Sequence, residues 1–279
     1  MKRVITAVAL FVFLFNGSLL EAKRIIEVKG EAEVRITGIT PEEGWLIAKR
    51  RARADAIEKA SGIRMLGSTV VKSGKLVGEY LAMLSKGIII HENIIEQKPG
   101  WIKGTTPPIP VYKIVIKAKV AIPEKRNKIR LFKAKLNKGS FLDGEKAQIT
   151  ITAINNAYIG IFNITAKDEV MMLYPNPYMD YKMITPNKKY IFPDPDAPVW
   201  LKISVIKGHK KETEAFFIIG LPGKELYRNV FSLFEGKKTY QLAEFFKLLY
   251  EIVDIDVVTE RFLPYSVKAK EKKEREAYE

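Results

Sequence analysis

Over residues 24–36, Ile26, Val28, Gly30, Ala32, Val34 and Ile36 alternate with Glu27, Lys29, Glu31, Glu33 and Arg35. A period of two with one polar side predicts a half-buried strand. Thr40-Pro41-Glu42-Glu43 then has the chemistry of a helix start: Thr40 can cap, Pro41 suits the first helical position, and Glu43 can return a hydrogen bond to the Thr40 amide. Trp45, Ala48, Ala52, Ala56 and Ala60 recur at three- and four-residue steps. The helix, expected to run to about Ser61 and stop at Gly62, therefore presents a face of mostly small residues that can lie close against a sheet. Lys49, Arg50, Arg51, Arg53 and Lys59 lie on its other side. Residues 76–84 read as a second short helix, 88–96 as a strand, the Gly/Pro-rich stretch 98–110 as a loop, and 111–122 as a strand alternating against Lys113, Lys117 and Lys119.

Past a charged connector at 124–130 the pattern changes to short strands. Ala147, Ile149, Ile151 and Ala153 alternate with Gln148, Thr150 and Thr152, giving a strand with one wet face. Residues 158–164 are apolar on both faces and belong in the middle of a sheet. Lys167-Asp168 makes the turn, and 170–174 returns. Val199, Leu201, Ile203 and Val205 repeat the alternation, Lys207-Gly208-His209-Lys210 turns, and 215–219 closes the pair. Leu242, Phe245, Phe246, Leu249 and Tyr250 fall on a helical period over 239–251. An edge strand is expected at 252–258 and a frayed charged end at 268–279.

The expected fold class is α+β. An N-terminal α/β module (strand-helix-helix-strand-strand) over 23–123 is joined by the linker 124–130 to an all-β, immunoglobulin-like sandwich over 131–265 with a C-terminal helix. A charged tail follows at 266–279.

The first residues alter where this protein is expected to work. Met1-Lys2-Arg3, an apolar run over 4–15, and a polar stretch closing on Ala22 read as a cleavable signal peptide over 1–22. The run is shorter than the roughly 17–25 residues that span a bilayer, which weighs against an uncleaved anchor. The chain of 279 residues holds no cysteine. That excludes disulfide scaffolds, thiolate metal sites, cysteine nucleophiles and an acylated cysteine, so no lipid anchor is expected. Scarce glutamine with abundant Lys, Glu and Ile leans towards a thermophile. The formal net charge of +15 signals an anionic partner; outside the cytoplasm that means an acidic protein, glycan or lipid surface in place of nucleic acid.

No cofactor, metal or catalytic residue is expected. His91 and His209 are the two histidines, they lie far apart, and no His-x-x-x-His spacing occurs. Asp194-Pro195-Asp196 is read as a turn, and Asp254 and Asp256 as the solvent face of a strand. Tyr174-Pro175-Asn176-Pro177-Tyr178-Met179-Asp180-Tyr181 is the most distinctive segment. Two prolines stiffen a loop expected to present Tyr174, Tyr178 and Tyr181, with Pro175 and Asn176, as partner anchors, weighed against a reading in which Tyr174 simply ends a strand and the prolines protect the sheet rim from edge pairing. Trp101, in the Gly/Pro loop, is a second partner-binding candidate. Lys49, Arg50, Arg51 and Arg53 offer an anion-binding face, weighed against a solvated helix surface partly neutralised by Asp55 and Glu58.

Two stretches resemble known families. Val28-Lys29-Gly30-Glu31-Ala32, the helix Ala48-Lys49-Arg50-Arg51-Ala52-Arg53-Ala54-Asp55-Ala56-Ile57 ending at Gly62, and the later strand pair resemble the N-terminal domain of flagellar assembly protein T and related envelope lipoproteins, over roughly 24–122. Gly139-Ser140-Phe141-Leu142-Asp143-Gly144-Glu145, Tyr158-Ile159-Gly160-Ile161-Phe162, Leu173-Tyr174-Pro175-Asn176, Ile191-Phe192-Pro193 and Gly220-Leu221-Pro222-Gly223-Lys224-Glu225 are similar to domain of unknown function 4384, over about 131–265. The second resemblance implies an interaction module of exported bacterial proteins and carries no chemistry with it.

The expected function is that of a non-catalytic envelope or cell-surface protein, in the periplasm or outside, binding another envelope protein. The alternative is a binder of anionic glycan or lipid through the basic helix face. A hydrolase would require paired carboxylates brought together in a deep pocket.

Overall fold

In the computed structural model the described residues are 24–35, 40–62, 86–102, 104, 106–122, 130–234, 239–252 and 259–270. The expected signal peptide, the 76–84 helix, the linker over 124–129, Asp254, Asp256 and the tail from 271 lie outside them.

Strand β1 (Arg24–Arg35), helix α1 (Pro41–Ser61), β2 (Ile88–Ile102) and β3 (Ile109–Ile122) form the first unit, an antiparallel sheet in the order β1-β3-β2 with α1 across one face. β1 alternates as its sequence requires, with Gly30 and Val34 buried and Glu27, Lys29, Glu31 and Glu33 exposed. The start of α1 is a complete capping box: the Glu43 amide donates to Thr40 Oγ1 at 3.2 Å, and the Thr40 amide to Glu43 Oε2 at 3.0 Å. Its end is Gly62 at φ 70°, a left-handed cap that glycine adopts without strain. Ala48, Ala52, Ala56 and Ala60 are buried against the sheet, while Trp45 stacks on Tyr112 with ring centroids 3.9 Å apart.

One expectation fails here. β2 runs through Pro99 and Gly100 to Ile102, where a loop was expected from residue 98. A proline has no amide to give to a ladder, but β2 is an edge of its sheet, and an edge tolerates the loss.

The remaining strands are β4 (Phe132–Leu136), β5 (Ser140–Leu142), β6 (Lys146–Ala147), β7 (Ile149–Ala153), β8 (Ala157–Ile164), β9 (Glu169–Tyr174), β10 (Met183–Ile184), β11 (Lys189–Phe192), β12 (Leu201–Lys202), β13 (Lys211–Leu221), β14 (Tyr240–Gln241) and β15 (Thr259–Lys268). Helices α2 (Lys224–Ser232) and α3 (Leu242–Ile252) fall between β13 and β15. The large sheet has the order β14-β9-β8-β13-β15-β5, with β10 also on β8; the smaller is β11-β7-β4, and β12 pairs with β6. The architecture is α+β and mostly strand.

β8 and β13 are buried on both faces, as the apolar run at 158–164 predicts. Ile159, Ile161, Phe216 and Ile218 meet Phe132, Ile149 and Ile151 of the small sheet. Phe162, Ile164, Phe217 and Ile219 face the other way, into a cluster with Phe231, Phe234, Phe245 and Phe246 around α2 and α3. Phe162 has Phe217, Phe231, Phe234 and Phe245 at centroid distances of 4.8–6.1 Å. This second cluster continues into Ala52, Ile57, Ile88 and Ile116, so apolar packing crosses from the first unit to the second.

The end of the chain departs furthest from expectation. β15 is a ten-residue strand lying on β13 along its length, and α2 was not expected at all. The alternation at 199–205 yields only the short β12, with Ile203 buried and hydrogen-bonded to Glu145.

Candidate functional site

The loop that follows β9 is braced by its own side chains. The Tyr174 hydroxyl donates to the Asp180 carbonyl and accepts from the Lys182 amide, both at 2.9 Å. Its ring packs edge-on against Phe192, and burial pushes its pKa up. Asn176 Oδ1 accepts from the Tyr178 and Met179 amides, while Nδ2 donates to the Leu173 carbonyl at 2.7 Å. Tyr181 leans on Tyr158 and Tyr227 and accepts a hydrogen bond from Arg228 at 3.3 Å. The expectation of three presented tyrosines is thus corrected. Tyr174 and Tyr181 fasten the loop because their rings have apolar partners below it, and Tyr178 alone points out, 74% exposed.

Beneath Tyr181, the Tyr227 hydroxyl is buried and has no hydrogen-bond partner among the described residues. Burial drives its pKa far above the phenol range. Tyr227→Phe removes that unsatisfied group and keeps the ring, so urea unfolding should show no loss of stability and a gain of up to about 1 kcal/mol. A loss of about 2 kcal/mol would contradict this reading.

The basic side of α1 is solvated at Lys59, which pairs with Asp55 at 2.7 Å, but not at Arg50 and Arg53. Arg50 is 4% exposed and Arg53 2%. Both are covered by the β8–β9 turn, whose Asp168 sits at φ 60° and binds one arginine with each oxygen. Arg50 Nη2 lies 2.9 Å from Oδ1, and Arg53 Nη1 2.5 Å from Oδ2. Arg50 also donates to the Ala166 carbonyl at 2.7 Å. Arg53 forks onto Glu92 of β2, which Lys49 approaches at 3.1 Å. Burial raises the Glu92 pKa, but Arg53 and Lys49 outweigh it and hold the carboxyl below its ordinary value. The expected anion-binding face is corrected accordingly. Arg50 and Arg53 cannot turn to an outside anion without stranding buried carboxylates, and Lys49 is engaged by Glu92. Arg51 is half-buried with interactions of its own.

Trp101 is on β2, not in a loop, and is 66% exposed opposite Pro110. Asp194-Pro195-Asp196 forms the expected turn, with the Asp196 amide donating to Asp194 Oδ1 at 3.1 Å. A third arrangement had no signature in the sequence. His209 Nδ1 lies 3.6 Å from Glu43 of α1 and 2.9 Å from Glu212 of β13. Only the His209 turn was legible. Among the described residues, no group of three or more His, Asp or Glu is placed to hold a metal ion, and no helix is long and apolar enough to cross a membrane.

The span from β5 to the start of β13 contains the Tyr178 loop, the Asp168 turn and His209. Residues 140–212 match the model of a domain of unknown function, DUF4384. The match bears out the resemblance in the second half of the chain over that span and leaves the first unit outside it. No curated protein matches the chain.

Proposed function

We propose that this chain is a non-catalytic exported module that binds another protein of the cell envelope through the tip of the 174–181 loop. The observation that carries the reading is Tyr178, a large aromatic side chain held 74% exposed by a loop whose own hydrogen bonds fix its shape. A pre-positioned aromatic loses little entropy on binding and is a frequent interface anchor. Export follows from the charge-then-apolar pattern of residues 1–22, which points to the periplasm or cell surface. Without cysteine, the acylated cysteine of a bacterial lipoprotein has no counterpart in this chain. The net charge of +15, which becomes +14 once Lys2, Arg3 and Glu21 leave with residues 1–22, favours an acidic partner and speeds encounter with it. The same proposal includes the immunoglobulin-like character of the second unit and the likeness of the first to flagellar assembly protein T.

A single substitution tests this better than removal of the loop, because Tyr174 and Tyr181 support the fold. Tyr178→Ala in the full chain should lose a reproducible envelope partner from cross-linking in native cells, with an unchanged urea midpoint. The captured wild-type protein should begin at Lys23. Capture unaffected by the substitution would overturn the role of the loop.

A further inference from the structure

A cleft of about 430 Å³ opens between the first turns of α1 and the start of β13, a size in the range of small-molecule sites. Leu46, Ile47 and Ile206 give it apolar walls, and Glu43, His209 and Glu212 give it polar ones. The Glu212 side chain is only 3% exposed. Its Oε2 accepts from the Ile206 amide at 3.0 Å, but Oε1 has no hydrogen bond. His209 Nδ1 lies 2.9 Å from that oxygen as an ion-pair contact and offsets part of the cost, but burial still pushes the Glu212 carboxyl above its ordinary range. A buried carboxylate satisfied on one side is costly to keep, and a donor entering the cleft removes the cost.

We propose that this cleft binds a small molecule carrying a primary ammonium group on a short apolar body. The ammonium donates to Glu212 Oε1 and Glu43, and the apolar part lies on Leu46, Ile47 and Ile206. His209 Nδ1 stands at that point in the cleft, 3.6 Å from Glu43 and 2.9 Å from Glu212, so the ammonium takes the place of the imidazole nitrogen and the ring turns aside. The nearby Arg50 does not repel the ligand, since Asp168 neutralises it. Lys167 and Lys211 also line the cleft and would accept a ligand carboxylate, so amino acids are admitted along with simple amines.

The chain has two histidines, so proton NMR of their ring C–H signals reports on the cleft through His209, with His91 on β2 as internal reference. Isoamylamine titrated into the full-length protein should shift the His209 signals saturably and leave His91 in place, at the millimolar level expected of so small a ligand. Isovalerate, with the same body and a carboxylate that Lys167 or Lys211 can meet but no donor for Glu212, should bind at least about tenfold more weakly. Leucine distinguishes the ligand sources: binding equal to isoamylamine indicates an amino acid, and no binding indicates a simple amine. Glu212→Gln keeps the shape and should weaken isoamylamine by about tenfold or more. Glu43→Gln, which can still close the capping box, should weaken it severalfold and serves if the first variant does not fold. No His209 shift with isoamylamine, an equal shift with isovalerate, or unchanged affinity in the variants overturns the site. Tyr178→Ala should leave the titration unaltered, so failure here is separate from failure of the partner-binding reading.

Discussion

Replacing Asp168 by Asn should destabilise the protein by about 3–5 kcal/mol, because it leaves two buried guanidinium groups without their shared counter-ion. Asn retains the size of the side chain and tolerates the φ of 60° at this turn. The loss therefore reports on charge, not on backbone strain. Arg50 and Arg53 are both below 5% exposed, and neither can recover its solvation without the turn lifting from α1. The double variant that adds Arg50→Met should recover part of the loss, since an apolar side chain of similar volume then replaces the unpaired guanidinium while Arg53 keeps its fork on Glu92. Guanidinium or urea unfolding of the three proteins checks both statements. A loss below about 1 kcal/mol for the single variant would mean that the arginines are solvated.

Gly30→Ala is the second large effect. A Cβ at this position would stand 2.0 Å from the Ala52 carbonyl oxygen and 2.8 Å from Ala56 Cβ. The first obstacle is helix backbone, so no side chain can swing aside, and α1 must move off the sheet. The expected cost is about 3 kcal/mol, the upper part of the range for overpacking a close contact. The shift of α1 should also disturb the Asp168 cluster, which the same helix carries. Melting temperature and near-UV circular dichroism measure the two consequences, and a variant as stable as the parent would contradict the packing described.

What the sequence revealed depended on distance along the chain. The capping box at Thr40 and Glu43, the Gly62 stop and the alternation of β1 are local, and all are present as read. The central placement of β8 was legible because every position over 158–164 avoids charge. The fate of Arg50 and Arg53 was not, because their counter-ion is 118 and 115 residues away and nothing in a helical charge run tells that a turn will cover it. α2 begins at Gly223 without a side-chain cap, so it lacks the start signal that announced α1. β15 contains Pro264 within its span. The strand tolerates it because β5 pairs only with residues 266–268, which leaves the far side of Pro264 without a ladder to serve. The 174–181 segment stood out by its composition, but which tyrosine faces outward depended on Phe192 and Tyr227, neither adjacent in sequence. The pairing of Glu43 and Glu212 around His209 was invisible for the same reason.

The claim that the 174–181 loop is the contact surface is tested most directly by placing a photoreactive p-benzoylphenylalanine at position 178 and, as a control, at Trp200, which is also exposed, at 60%. Irradiation of native cells expressing each full-length chain should give one discrete adduct with an envelope protein from position 178 and none from position 200. No adduct at 178, or the same adduct from both positions, would contradict the account.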